Sequence, residues 1–238
     1  LRVRKTHRSL FNMSIVLLLV IPAQAVIGGI TVWTGLNPWV VSLHFIISAL
    51  MVSVATLLAH RIGAERRARL TQGHPVRLQG GQSTPLTRIA AVVIYAAGWV
   101  VLIVGTVVTG SGPHGGDLTA PRHDFDQLLV TRLHAAPVYL MTILAIVVAV
   151  AMYRMDTSQR QRRAVWALIA VLVFQALVGF YQHFNGLPIL VVGLHMIGTG
   201  LVTWAMTLVL DVFTARYATR PTHSERIVED SGEQLASA

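Results

Sequence analysis

The feature that most limits what this chain can fold into is a set of long apolar runs, at about 10–32, 38–59, 89–109, 128–152, 164–184 and 189–213. Each approaches or exceeds the roughly 20 residues that an α-helix needs to cross the hydrocarbon of a bilayer. With 54% hydrophobic and 12% charged residues, the chain is too apolar for an ordinary soluble domain. The runs are too many, and the first too long, for a signal peptide. The expected fold class is therefore all-α: a polytopic membrane protein with six transmembrane helices. The sequence has no cysteine, which excludes a disulfide, a thiolate metal site and a cysteine nucleophile.

A net charge of +9 invites a nucleic-acid reading, but the basic residues are distributed in another way. Arg2, Arg4, Lys5 and Arg8 precede the first run. Arg61, Arg66, Arg67, Arg69, Arg77 and Arg88 lie between the second and third, and Arg154, Arg160, Arg162 and Arg163 between the fourth and fifth. Arg216, Arg220 and Arg226 follow the last run. In a six-span topology all of these fall on one side, leaving only Arg122 and Arg132 on the other, beside Asp117, Asp124 and Asp126. That asymmetry is the positive-inside pattern, so both termini are expected to be cytoplasmic, with lipid rather than nucleic acid as the surrounding partner.

The outward-facing connections include two tight turns, "TGLN" (34–37) and "NGL" (185–187), followed by Pro38 and Pro188, which suit a first helical turn. A longer outer loop occupies 110–127. Residues 61–88 read as a cytoplasmic linker, and 217–238 as a disordered cytoplasmic tail. The segments 24–44 and 175–195, aligned without gaps at an offset of 151, are identical at nine of twenty-one positions, including Gln24/Gln175, Gly28/Gly179, Gly35/Gly186 and His44/His195. Two apolar segments share some residues by chance, but rarely Gln, Gly and His in register across a turn. The hairpin within 10–60 is thus expected to be a structural copy of the last hairpin of an 89–213 four-helix bundle. A helix pair equivalent to the first two of that bundle would begin about 62 residues before Leu1. The expectation is one complete four-helix bundle plus half of a pseudo-symmetric second one.

Three histidines stand inside the apolar runs. His44, His134 and His195 each lie six residues past the starts at 38, 128 and 189, on spans that all run inward. At about 1.5 Å per residue, all three are roughly 9 Å below the outer boundary. An ionisable group in hydrocarbon is a functional candidate by default. One such histidine could simply bond a neighbouring backbone group, but three at matching depth call for a shared purpose. Zinc would want three or four ligands, and no carboxylate or cysteine lies at this depth. Two axial histidines and nothing else is the ligand set of a six-coordinate haem. His114 and His123, on the outer loop, are placed to touch a cofactor's polar edge or merely to be solvated. His183 is expected in the interface, and His7, His60, His74 and His223 are read as cytoplasmic and without a role. Arg132 is near enough to the boundary to meet a propionate or to snorkel to the interface.

"GGITVWTGLNPWVVSLHF", "GTVVTGSGPHGGD" followed by "RLHA", and "QALVGFYQHFNGLPILVVGLHM" resemble bacterial haem A synthase over nearly all of 10–213. The resemblance implies eight spans in two pseudo-symmetric bundles, with a haem b cofactor held in the C-terminal bundle by His134 and His195. It implies that His44 is a substrate-haem ligand in the N-terminal bundle, beside a catalytic glutamate in a Glu-x-x-His pattern. That glutamate would fall about twenty residues before Leu1, and the internal counterpart "TRLH" carries Thr131 in its place. The implied activity is oxidation of a methyl group of haem O to the formyl group of haem A, in the bacterial plasma membrane. A terminal oxidase and a haem O synthase would be partners, with the electron acceptor unspecified. On this reading the chain lacks the first helix pair and is catalytically incomplete by itself. The alternative is a non-catalytic membrane cytochrome b that carries electrons. A transporter is weaker, because the repeat is parallel rather than inverted.

Overall fold

The computed structural model describes residues 8–70, 83–113 and 119–215. Within them the chain is all helical: α1 Arg8–Trp33, α2 Pro38–Leu70, α3 Pro85–Ser111, α4 Gln127–Ala151, α5 Gln159–Phe184 and α6 Ile189–Thr214, with a 3₁₀ turn, Met152–Arg154, after α4. Six helices are each long and apolar enough to cross a membrane, and the chain is a multi-pass membrane protein. Hydrocarbon offers a backbone no outside hydrogen-bond partner, so an apolar run of this length closes its bonds within itself. The helices outlast the apolar runs. α2 continues past residue 59 to Leu70 through "HRIGAERRARL", whose Ala, Arg, Glu and Leu favour the helix even in water. The expected linker at 61–88 is therefore helical at both ends, since α3 already begins at Pro85. The tail expected at 217–238 lies outside the described residues.

The ends are set by local chemistry. Thr84 caps α3 by accepting from the Thr87 amide, with Pro85 in the first turn, where a missing N–H costs nothing. Asp126 caps α4 by accepting from Leu129 N at 2.6 Å. Ser158 and Gln161 form a reciprocal capping box at the start of α5. Gln161 then reaches Ser83 Oγ at 3.1 Å, tying the start of α5 to that of α3.

The α1–α2 and α5–α6 turns are the same object. Gly35 and Leu36 have φ of 62° and 60°, and Gly186 and Leu187 have 70° and 58°. Leu36 N donates to Thr31 O and Leu187 N to Gln182 O, both at 2.8 Å. Glycine adopts this left-handed backbone freely. A leucine there costs about 1–2 kcal/mol, offset by closing the helix end.

α3 packs on α4 and α6, and α5 on α4 and α6, so these four helices close a ring of contacts. α1 packs on α2, and α2 lies against α3 and α6. The core sits toward one end of this assembly. The buried residues of α6 run from Gly198 to Phe213, with none earlier in the helix. Those of α5 end at Val178, and Ile94, Met141, Leu168, Met206 and Val209 are among the most enclosed side chains.

At that closely packed end a polar seam joins α2 to α6. Ser53 Oγ lies 2.9 Å from both Tyr95 Oη and Thr207 Oγ1. Further along, His60 Nδ1 meets Asp211 Oδ2 at 2.6 Å, and Arg61 reaches Asp211 Oδ1 through Nε and Nη2 at 3.3 Å. The Asp211 side chain is only 1% exposed, so its charge depends on these partners. His60, expected to carry no role, is half of this clasp. Replacing Asp211 with Ala is expected to lower stability by about 1.5–3 kcal/mol, the range for hydrogen bonds to a charged group. Thermal unfolding in detergent measures it. Asp211→Asn, which keeps an acceptor for His60, should lose less, and equal loss would mean that charge alone matters.

Candidate functional site

His44, His134 and His195 lie on α2, α4 and α6, six, seven and six residues past the first residue of each helix. Each ring rests on a glycine of the preceding helix. A Cβ added at Gly28 would come within 3.4 Å of His44 Cε1, at Gly105 within 3.0 Å of His134 Cε1, and at Gly179 within 3.5 Å of His195 Cε1. Without a side chain at these positions an imidazole can lie against the backbone of its antiparallel neighbour. The close approach serves the histidine rather than general helix packing.

His134 and His195 face each other, with ring centroids 6.4 Å apart and planes inclined at 71°. His134 Nδ1 lies 3.0 Å from the Val101 carbonyl oxygen. A carbonyl can only accept, so Nδ1 carries the proton and Nε2 keeps its lone pair. Bonds of roughly 2 Å from a metal to each imidazole, plus about 1.1 Å from nitrogen to ring centre, place two axial rings about 6 Å apart. The observed separation suits a pair of axial ligands above and below one planar macrocycle. The packing agrees, because the buried core of α5 and α6 stops short of this end and leaves both rings half-buried. Among the described residues no group of three or more His, Cys, Asp or Glu could hold a bare metal ion.

His44 is not brought to this pair. It packs against α1, half-buried, and its Nδ1 is enclosed without a hydrogen-bond partner, as is that of His195. Thr131 turns its hydroxyl back to Gln127 O at 2.7 Å, as an ordinary helical threonine does. Arg132 and His183 are exposed.

Over the outer end, the segment before α4 folds onto the start of α2. His123 lies against Trp39 with centroids 4.3 Å apart and planes tilted by 59°, and Phe125 meets the same indole edge-on at 6.4 Å. His123 N donates to Gly110 O at 2.9 Å. His123 is 7% exposed, which corrects the expectation of a solvated loop residue: the aromatic pair at Trp39 and Phe125 supplies an apolar seat. His114 lies outside the described residues.

Over 65 residues the chain is 42% identical to "Heme A synthase" of Novosphingobium aromaticivorans. That stretch is 27% of this chain and 18% of the relative's own length. No family profile and no solved structure matches the chain.

Burial holds the His123 imidazole below its ordinary pKa of 6.5. The folded chain thus prefers the neutral ring, and the unfolded chain takes up a proton first on acidification. This contribution to stability is complete above the ordinary value and declines as pH falls below it. Lowering the pH from about 7 to 5 is expected to loosen the loop from Trp39, seen as a change in indole fluorescence that His123→Gln abolishes. An identical titration in that variant would assign the change to another group.

Proposed function

We propose that this chain belongs to a haem A synthase, with the α3–α6 helices as the cofactor-binding unit and the α1–α2 hairpin as half of the substrate-binding unit. The opposed His134–His195 pair carries the reading, supported by the likeness to Heme A synthase. Haem b, when bound, supplies one-electron transfer. His134 and His195 would hold it from both sides, so their role would be to keep a carrier rather than to leave an open coordination site. His134 is pre-set for this, since its Nδ1–H is committed to Val101 O, which leaves Nε2 with its lone pair.

His44 is the proposed ligand of the substrate, haem O, whose methyl group becomes the formyl group of haem A by gaining one oxygen atom from water and losing four electrons and four protons to an acceptor. The shared turn, glycine and histidine of the two hairpins support this role. Depth on α2 and α6 is the same, so substrate and cofactor would lie at one level in the membrane, and electrons would have a short lateral path. The proposed setting is the bacterial plasma membrane with both termini cytoplasmic, and the proposed partners are a haem O synthase and a terminal oxidase. A second reading, a non-catalytic cytochrome b, draws on the lack of any glutamate within the apolar runs.

Purified chain is expected to show a low-spin bis-histidine haem b spectrum, confirmed as haem b by a pyridine haemochrome assay. His134→Ala and His195→Ala should each abolish it. An unchanged spectrum in both variants would remove the ligand assignment. Titration with haem O separates the two readings. Binding that weakens about tenfold or more in His44→Ala, while bound haem b persists, is expected of the synthase, since even outer partners of a metal ligand are worth about 10–100-fold. Absence of any His44-dependent haem O binding would favour the cytochrome.

A further inference from the structure

The three histidine-on-glycine contacts share a second feature, one helical turn before the glycine. In the α3–α4 hairpin that position is Val101, whose carbonyl accepts the His134 Nδ1–H at 3.0 Å. In the other two hairpins it is a glutamine. Gln24 Nε2 donates to the backbone oxygen of His44 at 3.1 Å, and Gln175 Nε2 to that of His195 at 3.0 Å. Gln24 also reaches Ser48 Oγ at 2.7 Å. Gln175 is 9% exposed, and its Oε1 lies 2.3 Å from where a Cβ on Gly198 would be, so the amide fits only because that residue is glycine. A buried amide is costly in an apolar interface unless it bonds, and both spend their donor on the same atom, the carbonyl of their own hairpin's histidine.

We propose that Gln175 is a positioning residue for His195, and Gln24 for His44. The amide fixes how far the histidine-bearing helix slides along its partner. That setting brings the ring over its glycine, within reach of the carbonyl one turn earlier, the place Val101 O holds for His134. For His195 this carbonyl is that of Gln175 itself. The Gln175 side chain donates to the His195 backbone, while the His195 Nδ1 is enclosed without a hydrogen-bond partner, and on haem loading the Gln175 carbonyl would be its acceptor. That second bond would fix the tautomer with Nε2 free for iron and make the imidazole a stronger donor, which favours the oxidised metal.

The inference rests on the haem b reading, and the test keeps the two apart. Gln175→Met preserves length and volume without the amide. In the purified haem-loaded chain this variant should keep the wild-type unfolding temperature but lose haem about tenfold faster. Its haem should favour the reduced state about tenfold more, a rise of about 59 mV in midpoint potential. Gln175→Glu, whose carboxyl is protonated in so apolar a place and can still donate to His195 O, should recover most of the shift. Gln24→Met should leave haem b untouched and weaken haem O binding instead. An unchanged potential and haem-loss rate in Gln175→Met would overturn the proposal, as would an equal effect on haem b from Gln24→Met. If His134→Ala and His195→Ala still hold haem, the ligand reading itself falls. If they do not and Gln175→Met is silent, only the positioning role is lost.

Discussion

An imidazole carried about 9 Å into hydrocarbon has two nitrogens and no water to satisfy them, and much of this structure follows from that constraint. The ring must find protein partners or a metal, and both demand a close, fixed approach. The protein meets the demand with one device used three times: a glycine on the preceding helix lets the ring lie on backbone. In the α3–α4 hairpin a carbonyl one turn away takes the Nδ1 proton. What remains on His134 is Nε2 with its lone pair. On the proposed reading His134 and His195 would hold one cofactor between them, and the same device on α2 would offer His44 to a substrate.

The repeat explains why α2 and α6 meet as they do. Positions 151 apart carry matching turns, matching glutamines and matching histidines, so the two helices are equivalent in depth and direction. His60 and Asp211 are also 151 apart, and they touch each other. Residues at equivalent positions can meet only near an axis relating the two hairpins, where identical side chains would confront one another. Two histidines or two aspartates there would repel or compete for a proton. The change of one to the opposite chemistry turns a symmetric contact into a hydrogen-bonded pair, and Arg61 supplies the carboxylate's counter-charge.

Much of this was legible in the sequence, for specific physical reasons. Span length reports directly on bilayer thickness, so the six helices could be counted, though not ended. Charged helix formers after residue 59 carry α2 on into water, where hydropathy no longer marks the boundary. The three histidines stand six, seven and six residues into their helices, against six from each expected span start. The glycines under the rings were not legible, because small residues are ordinary in membrane helices and only the pairing distance reveals their task. His60 reads from the sequence only as a cytoplasmic residue without a role, yet the repeat offset applied to it lands on the only carboxylate inside the last helix. A histidine on a Gly- and Pro-rich loop reads as solvated, and only the contacts with Trp39 and Phe125 show that His123 is not.

Where the core sits gives the site its room. Every buried residue of α6 lies at or beyond Gly198, and the polar seam to α2 at Ser53, Thr207, His60 and Asp211 lies in that same part of the helix. One end of the assembly is therefore tightly packed and bonded across, while at the end bearing the histidines the turns and the Trp39–His123 contact add to a few buried residues such as Gly110 and Val130. A rigid, flat ligand many times the size of a side chain could not enter a bundle packed to native density along its whole length. Concentrating the stabilising contacts at one end leaves the other freer to adjust without loss of register. Gln24 and Gln175 sit one turn from the glycines that carry the rings, and each ties its helix to the backbone of the histidine opposite. A histidine tied at its own carbonyl keeps its position along the helix pair, and on the proposed haem b reading that position is what His134 and His195 would have to share.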